Sequence, residues 1–472
     1  MEIAGALPKS ATTNNTHLAH IPAARKLTLS ALVCVIFFTV SGGAYGIESL
    51  VGTMGAGWAV ALIIMTPLLW SLPIALMVSE LASMMPEEGG YYVWVRKALG
   101  DFWGVQEGWW TIGYTCVDMA IYPVLFVNYL AFFVPALAKP VDGPMSWRVW
   151  FLRWLVCVVI IALSCAINWR GAKAVGRTAQ SMFGFVLAAF AVLVVIGLTK
   201  NGAFGTAWSA IQTSFTARPD AALLAVGIST VLWNYSGWDN VSTYAGEVNE
   251  AEKNYPRAMA LALPLTVGAY LLPTLAGLGT TAAPEHWTDG SWPVIGELLA
   301  GKWLGWALAG AALLSAWSLF NSQLLYVSRL PYRMATDGFL PRFLARADEE
   351  TGAPRNALLL ACGAAGLFSM LSFDKLVIMD IMLYCAELSL EFVAFVVLRW
   401  RQPDAPRPFR VPLSWLGVAY VCIAPVTFGA VALWANLQDS GQWRQLVIVA
   451  VILLSGPLVY YYAKRKITAE TV

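Results

Sequence analysis

The sequence is poor in charged residues, and this scarcity limits the classes of protein it can belong to. Asp, Glu, Lys and Arg make up 12% of its 472 residues, whereas hydrophobic residues make up 58%. Soluble domains carry roughly 25% charged residues, so the composition excludes an ordinary soluble fold. A chain of this length can supply about twelve apolar segments of roughly 20 residues, the length with which a helix spans a bilayer.

Histidine is also scarce, and the cysteines follow no pattern. The three histidines are His17, His20 and His286, and none lies inside a long apolar segment. Membrane enzymes that use haem, di-iron or zinc usually need histidines that project into the helix bundle. The seven cysteines are scattered singly, without a metal-ligand or disulfide spacing. We therefore expect a protein that is not an enzyme and that holds no metal or cofactor.

The apolar segments predict an all-α membrane protein with twelve transmembrane helices. A polar stretch at residues 1–26 lacks the apolar core of a secretory signal, and we expect a disordered cytoplasmic tail there. The predicted spans lie near residues 28–58, 58–84, 102–135, 149–168, 178–199, 221–246, 257–282, 303–332, 355–372, 376–399, 412–436 and 445–463.

The distribution of basic residues predicts the orientation of these spans. With the N-terminus inside, 22 of the 30 lysines and arginines fall in cytoplasmic segments or near their ends. Because cytoplasmic loops are enriched in Lys and Arg, both termini are predicted to be cytoplasmic. Residues 27–199 and 220–400 then form two five-helix blocks of opposite orientation, an inverted repeat. Residues 401–472 hold helices 11 and 12.

The first helix of each block, helix 1 or helix 6, contains one glycine-bearing interruption. The first interruption runs from Ser41 to Gly46 and includes Gly42, Gly43 and Tyr45; the second runs from Asn234 to Trp238 and includes Tyr235 and Gly237. Irregular backbone at membrane depth is tolerated only where it lines a cavity or is buried in protein. A matched pair of broken helices is typical of a transporter's substrate site, although glycines also serve at helix crossings.

Acidic residues inside the apolar segments are candidates for binding a cationic substrate or a proton. Glu48 follows the first break, Asp118 lies inside span 3, and Asp239 follows the second break. Intramembrane acids are costly and are often functional, although any of them could instead be satisfied structurally. Tyr122 shares a helical face with Asp118 at a spacing of four residues.

Span 10 carries a second pair of acids, and aromatic residues accompany the breaks. Glu387 and Glu391, four residues apart, form either a proton-handling pair or a structural pair near the cytoplasmic exit. We therefore treat Glu48, Asp118, Glu387 and Glu391 as the candidates for proton coupling. Tyr45, Tyr122, Tyr235 and Trp238 are candidates for cavity walls, where an aromatic ring attracts an ammonium group.

Three loop motifs resemble those of the amino acid–polyamine–organocation transporters across almost the whole chain. They are Met85-Pro86-Glu87-Glu88-Gly89-Gly90-Tyr91-Tyr92, then Ala245-Gly246-Glu247-Val248 with Pro256-Arg257-Ala258, and Asp337-Gly338-Phe339-Leu340-Pro341 with Gly352-Ala353-Pro354-Arg355-Asn356-Ala357. Residues 41–48, 117–126, 390–395 and 407–412 are similar to the polyamine-type branch known from plants and protozoa. The second break is closer to amino-acid carriers of the superfamily.

This resemblance implies a five-plus-five, leucine-transporter-type fold and proton-coupled uptake. Some proton-coupled relatives place a lysine in span 5, but residues 178–199 contain none, so a carboxylate would have to carry the proton. Ser315 and Ser318 could contribute to a sodium site, but serine is common in membrane helices. Sodium is therefore the less favoured coupling ion.

The sequence thus predicts a secondary transporter of the plasma (inner) membrane that works by alternating access. The preferred substrate is a polyamine or a related cationic amine imported with a proton, and the partners are this small molecule, the proton and membrane lipid, with no nucleic acid. The alternative is an amino-acid symporter or exchanger, whose substrate carboxylate would bind the amides of residues 41–46. A nutrient sensor without transport activity is a further alternative of another class.

Overall fold

The computed structural model describes residues 26–138, 145–200, 202–215, 219–371, 373–437 and 443–471. The predicted tail at residues 1–26 therefore lies outside the described residues, apart from Lys26. The described chain is helical, with two isolated β-bridges that join Leu27 to Val248 and Glu88 to Tyr244. The prediction of an all-α protein is confirmed.

The described chain contains seventeen α-helices. In the first half they are α1 (Leu29–Val40), α2 (Glu48–Met54), α3 (Ala56–Thr66), α4 (Leu72–Met84), α5 (Gly90–Leu99), α6 (Asp101–Phe133), α7 (Trp147–Asn168), α8 (Ala172–Thr199) and α9 (Ala203–Ser214). In the second half they are α10 (Ala221–Asn234), α11 (Ala251–Leu278), α12 (Trp292–Ala300), α13 (Lys302–Thr336), α14 (Arg355–Phe368), α15 (Phe373–Arg401), α16 (Ser414–Leu437) and α17 (Trp443–Thr471).

Helices long enough to cross a membrane occur throughout the described chain. Nine helices qualify by length and apolar composition, with α3 and α4 counted as one continuous span from Ala56 to Met84. Three shorter apolar helices, Leu29–Val40, Leu223–Asn234 and Arg355–Phe368, accompany them. The count of twelve spans and the inverted repeat remain predictions. Three helices, α5, α9 and α12, lie outside the predicted spans.

Local sequence explains where α10 begins and where the chain between α3 and α4 is distorted. The Asp220 carboxylate accepts a hydrogen bond from the Leu223 amide at 2.8 Å and so caps the start of α10. Between α3 and α4, residues Pro67–Ser71 form a π-helical turn. Proline has no N–H to donate to the preceding turn, and such turns often occur at functional sites.

The long helices α6, α13 and α15 form the centre of the molecule. Helix α6 has 33 residues and packs along both α13 and α15. At 1.5 Å per residue it is about 50 Å long, longer than the roughly 30 Å hydrocarbon core of a bilayer. Its central polar residues, including Asp118, are therefore buried among these neighbours rather than exposed to lipid.

Candidate functional site

The first predicted break is present as an irregular segment between α1 and α2. Helix α1 ends at Val40 and α2 begins at Glu48. Gly42 and Gly43 adopt φ values of 67° and 107°, a region that only glycine enters without strain. The Ser315 hydroxyl donates a hydrogen bond to the Gly42 carbonyl, so α13 satisfies part of this irregular backbone.

The second predicted break follows the end of α10 at Asn234. Gly237 has a φ of 94°, and its amide donates a hydrogen bond to the Tyr384 hydroxyl at 3.1 Å. The π-helical turn also contacts this break, because Ser71 Oγ donates to the Tyr235 carbonyl at 3.3 Å and Trp70 Nε1 donates to Ser236 Oγ at 3.2 Å. Side chains from α15 and from the π-helical turn thus form hydrogen bonds with the second break.

The two breaks are also joined directly. Asn234 Nδ2 donates a hydrogen bond to the Gly46 carbonyl at 3.0 Å, and the Tyr270 hydroxyl donates to the Asn234 carbonyl at 2.7 Å. Residues 188 positions apart in the sequence therefore meet at one place in the fold.

A narrow cavity lies beside these breaks. Three residues predicted from the sequence line it: Asp118, Tyr122 and Gly237. The other lining residues are Thr39, Tyr114, Trp233, Ser236, Asn240, Gln323, Asp380 and Tyr384. The cavity therefore draws on both broken helices and on the central helices α6, α13 and α15.

Two buried carboxyl groups on the cavity wall differ in their hydrogen bonding. Asp118 is 4% exposed; its Oδ1 accepts from the Tyr122 hydroxyl at 2.8 Å and its Oδ2 from the Tyr326 hydroxyl at 3.4 Å. Asp380 is 3% exposed, and its Oδ1 has no hydrogen-bond partner among the described residues. Since buried polar atoms are nearly always paired, Asp380 presents an oxygen that a ligand could satisfy.

The cavity is acidic and partly aromatic. None of its described lining residues is Lys, Arg or His, whereas two are aspartates. Tyr122 and Trp233 stack with their ring centroids 6.3 Å apart. Carboxylates and the faces of aromatic rings both attract ammonium groups, so the wall has the chemistry of an organic-cation site.

Glu48 lies away from the lining, where three hydrogen-bond donors surround its carboxylate. It accepts from the Gly46 amide at 2.7 Å, from the Tyr129 hydroxyl at 2.8 Å and from the Gly290 amide at 2.8 Å. The side chain is fully buried. These contacts tie the end of the first break to α6 and to the loop that contains Gly290.

Other predicted site residues also lie outside the described lining. Ser41, Gly42 and Gly43 pack within the first break, and the Tyr45 hydroxyl donates to the Leu308 carbonyl at 2.8 Å. In the second break, the Tyr235 hydroxyl donates to the Ile63 carbonyl at 3.1 Å, and Trp238 Nε1 donates to the Tyr235 carbonyl at 2.9 Å. Near the first break, the described lining includes Thr39, in the last turn of α1.

Asp239, Glu387 and Glu391 belong to a separate acidic region next to the cavity. The Tyr384 hydroxyl donates to Asp239 Oδ1. Glu387, Glu391 and Glu107 are fully buried, and one carboxylate oxygen from each lies within 4.8 Å of the others. This is the set of described residues whose geometry could hold a metal ion.

The sequence reasoning missed two acids that the structure places in these regions, Asp380 and Glu107. A signal for both was present. Both α6 and α15 carry polar residues at helical spacing, and the two helices pack together. On α6 these residues are Glu107, Thr111, Tyr114, Asp118 and Tyr122, and on α15 they are Asp380, Tyr384, Glu387 and Glu391. This periodicity within apolar helices indicates a shared polar face.

Sequence comparisons with known proteins identify relatives of this chain. The amino acid permease family matches residues 27–456. The chain is 39% identical over 413 residues to polyamine transporter PUT1 of Oryza sativa subsp. japonica, covering 87% of this chain and 74% of that protein. It is 34% identical over 433 residues to polyamine transporter RMV1 of Arabidopsis thaliana, covering 91% and 84%.

Similarity to amino-acid carriers is more distant. The chain is 25% identical over 397 residues to the large neutral amino acids transporter small subunit 2 of Mus musculus, covering 82% of this chain and 71% of that protein. The family match and the polyamine relatives establish a multi-pass membrane transporter rather than an enzyme. The chain belongs to the amino acid permease family of the amino acid–polyamine–organocation transporters.

Proposed function

We propose that this protein imports polyamines or related cationic amines across the plasma membrane, coupled to protons and by alternating access. The observation that carries this proposal is the pair of buried aspartates, Asp118 and Asp380, on a cavity wall whose described residues include no basic side chain. The names of the relatives that are 39% and 34% identical support the same substrate class.

Two carboxylates suit a substrate with more than one ammonium group. Asp118 is already oriented by tyrosine hydroxyls, and Asp380 offers an unpaired oxygen. A charge-assisted hydrogen bond to each would compensate the desolvation of two cationic ends. The methylene chain between them would pack against Tyr122 and Trp233, which form a stacked pair on the same wall.

Alternating access requires that each end of the cavity opens in turn, and contacts suited to gating lie at both ends. Toward one end, Arg329 forms a buried pair with Glu247, with Nε and Oε1 2.6 Å apart. Toward the other end, Trp292 Nε1 donates to the Ala44 carbonyl at 2.7 Å, and Glu48 binds the Gly290 amide. Because the cavity is narrow, one of these sets must separate before a polyamine can enter.

The proposed orientation places Arg329, Glu247 and both termini on the cytoplasmic side. It rests on the excess of lysine and arginine in the segments assigned to that side. In this scheme the bundle of predicted spans 1, 2, 6 and 7 rocks against the remaining spans. A proton is favoured over sodium as the coupling ion because buried carboxyl groups are abundant here.

The experiment combines ligand-dependent melting with uptake. Purified protein is melted in detergent with putrescine, spermidine and each of the twenty amino acids, and is then assayed in proteoliposomes for radiolabelled putrescine uptake. Saturation at 100 times Kd would stabilise the folded state by about 2.7 kcal/mol. We expect stabilisation by the polyamines and saturable putrescine uptake.

Variants of the two aspartates test the assignment. Leaving one buried ammonium unpaired costs about 2–5 kcal/mol, so Asp118→Asn or Asp380→Asn should weaken putrescine binding by about 100-fold. Asp404→Asn, at an exposed position, is the matched control and should bind normally. Normal putrescine affinity in both cavity variants would contradict the assignment. Stabilisation by amino acids alone would favour an amino-acid carrier instead.

A further inference from the structure

Helices α6 and α15 carry a second acidic site, displaced from the cavity. Glu107 precedes Asp118 on α6 by eleven residues, and Glu391 follows Asp380 on α15 by the same number. At 1.5 Å per residue, each separation is about 16 Å along the helix axis. Since the two helices pack together, the three buried glutamates meet about two to three turns away from the cavity aspartates.

Most carboxyl oxygens of the three glutamates lack a hydrogen-bond donor or a cationic side chain among the described residues. Thr111 Oγ1 lies 2.5 Å from Glu387 Oε2 and 2.8 Å from the Glu107 carbonyl oxygen, and its one proton can serve one of them; Glu387 Oε1 and both carboxyl oxygens of Glu107 and Glu391 receive no hydrogen bond from any described residue. In the part of the chain that the structure describes, no Lys, Arg or His forms an ion pair with them. Three fully buried carboxyl groups thus lie together without a compensating charge.

Such a cluster cannot be fully ionised. Like charges at this separation repel strongly in a low-dielectric interior, so neighbouring carboxyl groups retain and share protons. The carboxyl groups of Glu107 and Glu387 are close enough to share one, and so are those of Glu391 and Asp239. A proton on one oxygen of each pair would supply the missing hydrogen-bond donor.

A divalent cation is the other way to neutralise the cluster, but the ligands are too few. Calcium and magnesium take six or more oxygen ligands, including water. The cluster brings together one oxygen from each of three carboxyl groups in a fully buried setting, and no other described Asp, Glu, His or Cys joins this group. The unpaired oxygens therefore favour protons.

Asp239 and Tyr384 connect the cluster to the cavity. Tyr384 lines the cavity; its hydroxyl donates to Asp239 Oδ1 and accepts from the Gly237 amide. Asp239 Oδ2 is buried, receives no hydrogen bond in the described chain and lies beside Glu391. Among the described residues, Tyr91 from α5, Tyr114 from α6 and Cys385 from α15 also face the cluster, and none of them adds positive charge.

We propose that Glu107, Glu387 and Glu391 form the proton-binding site of coupled transport, separate from the substrate cavity and linked to it through Asp239 and Tyr384. This rests on the proposed function. In the linking step, the O–H bond of an Asp239 carboxyl group breaks and one forms on Glu391, so that Asp239 becomes negative. A cationic substrate beside Tyr384 favours that negative charge and therefore favours a proton in the cluster.

The test separates proton coupling from substrate movement. The full-length chain and its E107Q/E387Q/E391Q variant are placed in proteoliposomes, because glutamine resembles a protonated glutamate but cannot release a proton. Radiolabelled putrescine is followed in counterflow without a pH gradient, and in uptake driven by a gradient of about one pH unit with the membrane potential clamped. One proton per substrate then supports about tenfold accumulation.

We expect the triple variant to retain counterflow within about twofold of the unmodified protein but to lose gradient-driven accumulation, a difference of about tenfold. Accumulation equal to that of the unmodified protein would overturn the proposal. E391Q alone is measured beside it, so that a folding defect of the triple variant does not decide the result. Glu252→Gln, at an exposed site on α11, is the control and should accumulate normally.

A second measurement does not depend on the substrate. Infrared difference spectra between acidic and neutral pH detect the carbonyl stretch of protonated carboxyl groups, and a band that is absent from the triple variant would support the cluster as a proton site. Identical spectra would overturn it. If the unmodified protein shows no putrescine counterflow, the proposed function fails, and the infrared result still decides whether the cluster holds protons.

Discussion

The buried ion pair between Arg329 and Glu247 provides the sharpest prediction of stability. Arg329 Nε donates a hydrogen bond to Glu247 Oε1 at 2.6 Å, and Arg329 Nη2 donates to Glu247 Oε2 at 3.2 Å. The two side chains are only 2% and 3% exposed. The pair joins α13 to the segment that follows the second break, so its loss should lower the stability of the fold.

The substitution Glu247→Gln keeps the shape of the side chain and removes its charge. Breaking one partner of a buried pair costs about 3–5 kcal/mol, because the remaining charge is left uncompensated in the interior. For large domains 1 kcal/mol corresponds to roughly 2 °C, so the melting temperature should fall by ~5–10 °C. Removing both charges, in Glu247→Gln/Arg329→Met, should recover part of this loss, because an apolar replacement avoids the desolvation penalty.

The assay is thermal melting of detergent-purified protein, with an exposed pair as the matched control. Asp101 binds Arg96 at 2.6 Å, but these side chains are 54% and 31% exposed, and Arg96 also pairs with Asp337. Asp101→Asn should therefore cost at most about 1 kcal/mol. If Glu247→Gln and Asp101→Asn lower the melting temperature equally, the reasoning from burial is refuted.

The second break and another buried ion pair give two more tests. Gly237→Ala should destabilise the protein by about 1–3 kcal/mol and weaken putrescine binding, because φ at this position is 94°. Gly184→Ala, where an added Cβ meets open space in a helix, is the control and should be neutral or slightly stabilising. Glu80→Gln should cost about 3–5 kcal/mol in thermal melts, because it leaves Arg399 and Arg407 without their shared carboxylate. A melting temperature unchanged from that of the unmodified protein would contradict the conclusion that Glu80 compensates the charges of Arg399 and Arg407.

The positions of the helix breaks could be predicted from the sequence because glycine has a local effect. Gly42, Gly43 and Gly237 interrupt apolar runs, and each adopts the positive φ that an interruption requires. The acid at position 118 was recognisable for a similar reason, since it lies in the apolar middle of its helix, whereas Glu107 lies near the start of the same helix. Such signals lie within a few residues of the feature that they predict.

Contacts between distant segments could not be read in the same way. Glu48 stands beside the first break in sequence, yet its partners Tyr129 and Gly290 lie 81 and 242 positions away. Helix packing brings these donors together, and no local pattern indicates it. Asp380 and Glu107 were accessible through the periodicity of polar residues, but only when α6 and α15 are read as facing helices.

The π-helical turn at Pro67–Ser71 makes the chain sensitive to length at this point. From this turn Trp70 and Ser71, neighbours in sequence, both donate hydrogen bonds to the second break. A π-helical turn holds one residue more than the α-helical turn that it replaces, so deleting a residue here would restore a regular helix and change which side chains face the second break. Substitutions at the exposed Leu68 should therefore be tolerated more readily than insertions or deletions, and a shortened turn should weaken the support of the second break even with all its own residues intact.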